Sequence, residues 1–453
     1  MNHASAKIIA SSTAGDTVVA SAARISTTQG TALEVYARSC EKENNASLIE
    51  KVVASGHTST LEHQIFTVAF DNVSVCTEEF VIEFRLGSYT VKSRRYVDFT
   101  NAGFYIPPMP DELLPEYQAN MQSLFDAYAA LLERGIPKED ARYLLPYCFR
   151  SNFYCTMNAR ELMHMIETML WGRGSYFPEL KKLGESLRTQ FEQYFPHLIE
   201  ADEKKPHDAG RRYALPQQMP EIPEPRARHA EAYCSFTTPC SDVLMMDAAA
   251  ANGMILPDSA PDTIREIIDG ERPRELELLH TNFEILHLSL AAITHLVRHR
   301  MQTVLVPQVT QAALLQTYVL PETIRNDETA FKIYTDAFTA NAAVLRRMCA
   351  AGLPAEAVQY FALAGNQLNV TCGMNGRELL HFMKLRTCNR AQWEIREAAT
   401  DLLRQLRYMT GSSSGSIYDF FGPSCYVTGV CPEGRLSCGK LREMQARFVG
   451  SIL

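Results

Sequence analysis

Two stretches of this chain hold groups suited to binding phosphate and stabilising negative charge, and neither holds the full set. The first runs Glu83, Phe84, Arg85, then Ser88, then Ser93, Arg95 and Tyr96. The second runs Arg298, His299, Arg300, then Thr303, Leu305, Gln308, Thr310 and Gln311. If Ser93 and Arg95 alternate along a strand, they share a face, and a hydroxyl and a guanidinium converge on one phosphate. Arg142 is a further candidate for that anion, or an ordinary salt-bridged arginine. Arg298, His299 and Arg300 follow the apolar run LSLAAITHLV. There they either offset a helix dipole or cradle a phosphate-bearing cofactor. Cys425, Cys431 and Cys438 lie in a Gly/Pro-rich tail. They are candidate ligands for zinc or an iron–sulfur cluster, with Cys388 or Cys372 as a fourth, or else reduced thiols.

The elements that must position these groups form a repeat. His63 with Phe66 pairs with His280 and Phe283 (280 − 63 = 217), and MNARELMHMIE (157–167) pairs with MNGRELLHFMK (374–384) at the same offset. Phe84 pairs with His299 at 299 − 84 = 215, so a two-residue gap falls between. The Pro-rich, charged segment 202–228 reads as a linker, which divides the chain at about 1–215 and 220–453. Asn158 and Asn375 read as helix N-caps, with Glu161 and Glu378 completing capping boxes. The alternating segment 64–75 predicts a strand, and the stripe through Trp393, Ile395, Ala398, Leu402 and Leu406 predicts a helix over 390–408. The mixture is α+β without regular βαβ alternation.

At 453 residues the chain suits two domains, and its net charge of −8 offers no global attraction to nucleic acid polymers or anionic membranes. No long apolar run or leader pattern is found, so a cytoplasmic location is expected. No Gly-x-Gly-x-x-Gly follows a strand, which argues against a Rossmann dinucleotide site. GRLSCGK (434–440) approaches a phosphate-binding loop, but Leu441 stands where a Ser or Thr is required and no strand precedes it.

Taken together, these residues resemble the flavin-dependent thymidylate synthases, whose signature is R-H-R-x-x-S-x-N-x-x-S-x-R-Y. GHTSTLEH (56–63), ARYLLP (141–146) and above all MNGRELLHFMKLRTCNRAQWEIREAA (374–399) extend the resemblance. It implies two tandem domains, each a central antiparallel sheet with long helices. It also implies an enzyme that reductively methylates deoxyuridylate (dUMP) to thymidylate (dTMP). Methylenetetrahydrofolate would be the carbon donor, FAD the cofactor and NADPH the reductant. By the resemblance, His57 and Ser59 contact FAD, while Ser93, Arg95 and Arg142 hold the nucleotide. In the second repeat Arg298, His299, Arg300, Asn375 and His381 fall at flavin-site positions. Arg386 is the uracil-facing, catalytic arginine.

Each repeat lacks what the other keeps. Glu83 and Phe84 replace the start of R-H-R, and Met169 replaces Arg386. Gln308, Thr310, Gln311 and Gln359 replace the nucleotide-binding set. This predicts hybrid active sites and a homodimer that mimics the family's tetramer. The signature's Asn and the acidic residue beside it are Thr90–Val91 in one repeat and Leu305–Val306 in the other. That keeps a second expectation open, modification of another pyrimidine nucleotide. A third is an inactive nucleotide-binding relative.

Overall fold

The computed structural model describes residues 3–13, 15–196, 198, 215–216, 219–239, 241–255, 257, 259–411 and 416–449. The strands in chain order are β1 (Ser5–Ser11), β2 (Ile65–Ser74), β3 (Gly87–Val91), β4 (Arg150–Asn158), β5 (Arg226–Ala227), β6 (Glu231–Thr237), β7 (His280–Ser289), β8 (Gln302–Leu305), β9 (Thr317–Tyr318) and β10 (Gln367–Asn375). Eight helices matter for the site: α1 (Val75–Ile82), α2 (Leu114–Glu133), α3 (Ala159–Leu170), α4 (Pro178–Glu192), α5 (Leu290–Leu296), α6 (Glu328–Ala350), α7 (Gly376–Arg386) and α8 (Trp393–Thr410).

Two four-stranded sheets have the same order, β1-β2-β4-β3 and β6-β7-β10-β8, and every pair within them is antiparallel. The α+β expectation with two tandem sheet domains holds. Phe66, Val68 and Phe70 of β2 are buried at alternate positions, as a strand with one core face requires. They join Leu162, Met165, Ile166 and Met169 of α3 in the first core. In the second sheet Phe283 and Ile285 are buried likewise.

Both long strands carry the same irregularity. Asn72 and His287 each adopt φ 54°. Their backbone N–H groups donate to the side-chain oxygens of Asn152 and Asn369, each at 2.9 Å. The left-handed backbone is unfavourable for a non-glycine residue, and each side-chain amide satisfies the backbone group released by the bulge.

The pairing corrects the repeat alignment. Ile65 sits opposite Asn158 and His280 opposite Asn375, so Ile65 corresponds to His280 at 280 − 65 = 215. Phe66 therefore corresponds to Thr281, not Phe283. A slip of two residues keeps each side chain on its own face of the sheet, so hydrophobic pattern alone tolerates either alignment.

The chain forms two compact units that do not follow its contiguous halves. The first comprises 1–222 with 329–363, and the second 223–328 with 364–453. Nearly all of α6 thus belongs to the first unit. There Asn120 of α2 donates to Asn341 of α6 at 2.8 Å, and Asn341 donates to the Phe361 carbonyl at 2.8 Å. Most of the expected linker, including 202–214, lies outside the described residues. Its end is structured: Arg226 and Ala227 pair in parallel with Thr317 and Tyr318 of the second unit.

Candidate active site

In the first unit the anion-binding candidates come together, though not on a strand. β3 ends at Val91, and Ser93 and Arg95 occupy the turn that follows. That turn is closed by the Val97 N–H to the Ser93 carbonyl at 3.0 Å. The Ser93 hydroxyl oxygen accepts the Arg95 backbone N–H at 3.3 Å. The ladder with β4 ends at the pair Val91–Phe153, and the basic, hydroxylated sequence leaves the sheet there.

Arg95 donates from Nε and from a terminal nitrogen to Glu139 Oε2, at 3.1 and 2.9 Å. Arg142 is buried and donates from Nε to the Glu139 carbonyl at 3.1 Å. Burial pulls the Arg142 guanidinium below its ordinary value; Tyr143 and Glu139 oppose this, while the neighbouring charges of Arg94 and Arg95 add to it. Arg94 is itself committed, at 2.5 Å, to Glu78 and, at 3.6 Å, to Glu79. Both guanidiniums thus bond to Glu139, Arg95 to its carboxylate and Arg142 to its main-chain carbonyl. Glu139 was not singled out from the sequence; a charged residue in a helical turn carries no pattern that marks it.

In the second unit the R-H-R segment follows α5. Ser289 caps that helix by accepting the Ala292 N–H at 3.1 Å. Glu394, in the first turn of α8, accepts the Ser289 N–H at 2.8 Å and its hydroxyl as well. The start of the helix that delivers R-H-R is thus fixed from the AQWEIR segment. Ser74 and Glu179 repeat this device in the first unit, with the N–H bond again 2.8 Å.

Beyond α5, Arg298 and Arg300 are exposed and His299 is buried between them in sequence. His299 Nδ1 lies 3.3 Å from Glu378 Oε1. On its other side, Nε2 accepts from Arg386 Nε at 2.9 Å. Arg386 also donates to the His295 carbonyl at 2.8 Å. The ring of His381 stands 5.5 Å from His299, and that of Phe382 stands 5.1 Å away. Burial pulls His299 below its ordinary pKa; Glu378 opposes the shift, and Arg386 and His381 reinforce it. Because Nε2 accepts from Arg386, a neutral imidazole carries its proton on Nδ1, facing the Glu378 carboxylate at ion-pair distance but outside hydrogen-bond geometry. The two exposed guanidiniums are donors suited to a cofactor diphosphate, so the residues present fit a flavin dinucleotide.

The N-cap reading is half right. Asn158 and Asn375 each accept the N–H three residues on, at 2.9 Å. The reciprocal capping-box bonds are not made. Glu161 instead accepts the Leu86 N–H at 3.3 Å, and Glu378 faces His299. The sequence did mark Glu378, but as a helix-start residue.

The first repeat packs the corresponding space with hydrocarbon. Phe84 is buried where the second repeat has His299, and Met169 is fully buried where it has Arg386. Phe84 still meets His164 edge to face at 5.4 Å, as His299 meets His381. Glu83, in the place of Arg298, pairs with Arg173. In the second repeat, Thr310 and Gln359 are buried in the places of Arg95 and Arg142; Gln359 belongs to the first compact unit. His57 and Ser59 are exposed at the start of the 3-10 turn Thr58–His63 that leads to β2.

The metal expected at Cys425, Cys431 and Cys438 is not supported. Among the described residues no group of three or more His, Cys, Asp or Glu side chains is arranged to hold one. The three cysteines carry free thiols. Burial pushes the Cys425 and Cys388 thiols up, and neighbouring thiols add to it: Cys388, Cys431 and Cys438 at Cys425, and Cys438 and Cys431 at Cys388. No helix among the described residues is long and apolar enough to cross a membrane.

Comparison with known proteins matches residues 7–197 and again 228–410 to one family model, described as thymidylate synthase complementing protein. A protein of Geobacter sulfurreducens named flavin-dependent thymidylate synthase is 36% identical over 123 residues, covering 26% of this chain and 53% of the relative. One of Saccharolobus solfataricus with the same name is 27% identical over 198 residues, covering 43% of this chain and 75% of the relative. A third, of Pyrococcus abyssi, is 35% identical over 136 residues, covering 28% and 55%. The chain thus spans about half the length of two of these relatives and three quarters of the other.

Proposed function

This chain belongs to the thymidylate synthase complementing protein family, and from that premise we propose that it is a flavin-dependent enzyme converting dUMP to dTMP. The one-carbon unit comes from methylenetetrahydrofolate and the reducing equivalents from NADPH. Bound FAD supplies hydride chemistry. Arg298, His299, Arg300, Asn375 and His381, with His57 and Ser59, are the residues we assign to holding it. Ser93, Arg95 and Arg142 bind the nucleotide. Arg386 stabilises negative charge as it develops on the uracil, which preorganised positive charge in a dry site does well.

The observation that carries this reading is the complementary loss. Phe84 and Met169 fill the first repeat where His299 and Arg386 form a hydrogen-bonded pair in the second. The guanidinium pair Arg95 and Arg142 has uncharged counterparts in Thr310 and Gln359. Independent decay would strike both repeats at random positions; here each loses what the other keeps. We therefore propose hybrid active sites that use the nucleotide half of the first repeat and the flavin half of the second, in a cytoplasmic homodimer.

Three measurements test this. Titration with FAD is expected to give a stoichiometric flavin absorbance. Tritium release from C5-labelled dUMP is expected with the folate and NADPH present. Arg95→Ala and Arg298→Ala should each abolish release, and mixing the two variants restores it if the hybrid site spans two chains. Lack of FAD uptake, or full activity in either variant, refutes the assignment. Thr90–Val91 and Leu305–Val306 favour a second reading, in which the base differs from uracil. A panel of pyrimidine nucleotides decides, because turnover of another base without dUMP turnover selects that reading.

A further inference from the structure

We infer that Glu378 is a positioning residue for Arg386, acting through His299. The inference rests on the proposed role of Arg386 above. Glu378 and Arg386 lie on the same helix, α7, separated by more than two turns, and neither is described in contact with the other. His299 joins them, with Nδ1 3.3 Å from Glu378 Oε1 and Nε2 accepting from Arg386 Nε at 2.9 Å.

An imidazole can serve Arg386 as acceptor only if its own proton is on Nδ1. Nothing intrinsic to histidine secures this, since either nitrogen can carry the proton. The Glu378 carboxylate beside Nδ1 favours that tautomer, as an acceptor behind an imidazole does for a metal-bound histidine. In the other tautomer the Nε2 proton would face the Arg386 Nε proton. The guanidinium would then lose one of its two described anchors and keep the His295 carbonyl at 2.8 Å.

The first repeat supplies a control. It keeps the acidic residue, Glu161, at the matching third position of its helix. There the histidine is Phe84 and the arginine is Met169, and the Glu161 carboxylate accepts the Leu86 N–H instead. An acid at this position is therefore compatible with a purely structural role. What distinguishes Glu378 is its imidazole partner, present in the repeat that also keeps the arginine.

The test uses the FAD-loaded enzyme and reads dUMP affinity by calorimetry beside tritium release. Glu378→Leu removes the carboxylate that faces Nδ1 and is expected to weaken binding and slow release by roughly tenfold, the scale of one hydrogen bond's net contribution. Glu378→Gln keeps an acceptor oxygen and should lose much less. In an Arg386→Met background, Glu378→Leu should cost nothing further. Equal losses in Gln and Leu would indicate a helix-end charge effect and overturn the inference. So would an unimpaired Glu378→Leu, or a loss undiminished in the Arg386→Met background.

If Glu378→Leu does not fold, the pH profile of Glu378→Gln carries the test. Protonated His299 cannot accept from Arg386. The charged or titratable groups described beside it are Glu378, Arg386 and His381, and the Phe382 ring packs against it. Removing the Glu378 charge should move the acid limb of dUMP binding to lower pH relative to wild type; an unmoved limb overturns the inference. The nucleotide's own phosphate titration is common to both proteins. Wild-type tritium release in Arg386→Met would instead refute the assigned role of Arg386.

Discussion

The surroundings of His299 and of Phe84 are one backbone arrangement put to two uses. In both, a ring after a capped helix meets a histidine edge to face, at 5.5 and 5.4 Å. In both, an asparagine caps the following helix. Around His299, Nε2 accepts from Arg386 and Nδ1 lies 3.3 Å from the Glu378 carboxylate. Around Phe84 the matching volume belongs to the apolar core, with Met169 fully buried. The difference is paired: where one repeat has His299 with a partly buried Arg386, the other has Phe84 with a fully buried Met169. Losing only one partner of such a hydrogen-bonded pair would leave the other without its bond, whereas two residues that pack leave none unmet.

That comparison can be broken at several scales. Giving the second repeat the first repeat's residues, His299→Phe with Arg386→Met, should lower dTMP formation by about 10²–10³, the scale for loss of a preorganised charge-stabilising donor. Circular dichroism should show the fold retained, because the first unit already accommodates that pair. The reverse change, Met169→Arg alone, puts an unpaired cation into a sealed core. It should cost about 3–5 kcal/mol in urea unfolding, with Arg386→Met costing far less.

A pH effect separates the two regions next. Burial holds His299 below its ordinary pKa. Between the ordinary value and that lower folded value, the unfolded chain binds a proton that the folded chain refuses. Stability from this group is therefore complete above about pH 6.5 and is lost as pH falls through the window, by at most about 1.4 kcal/mol per pH unit. His299→Phe should flatten that slope in thermal melts, since Phe84 shows the site accepts a phenyl ring. The smallest effect tests sameness. Asn158→Ala and Asn375→Ala should each cost about 1 kcal/mol. A large inequality between them would mean the caps are not equivalent.

Much of the fold was legible because its signals are local. The strand over 64–75 appears as Ile65–Ser74, and the helix over 390–408 as Trp393–Thr410. The alignment of β2 with β7 was misread by two residues because a two-residue slip preserves the face of every side chain. Ser93 and Arg95 were expected on a strand, yet they lie in a turn. An alternating pattern does not say where a ladder stops, and here the pairing of β3 with β4 ends at Val91 opposite Phe153. Glu378 looked like a capping residue, and its sequence twin Glu161 does not make that bond either. What each carboxylate binds depends on the ring that the preceding helix delivers.

By itself the sequence determined the duplication, the α+β class, the helix caps and the division of polar groups between repeats. Those follow from residue types at fixed spacing, which spacing alone preserves. Only the tertiary structure decided that Glu139 lies against Arg95 and Arg142, that Glu378 reaches Arg386 through His299, and that residues 329–363 join the first compact unit. Each of these joins positions far apart in the chain or on different elements. Their pairing is set by packing and by the need to satisfy buried charge, which no local pattern encodes.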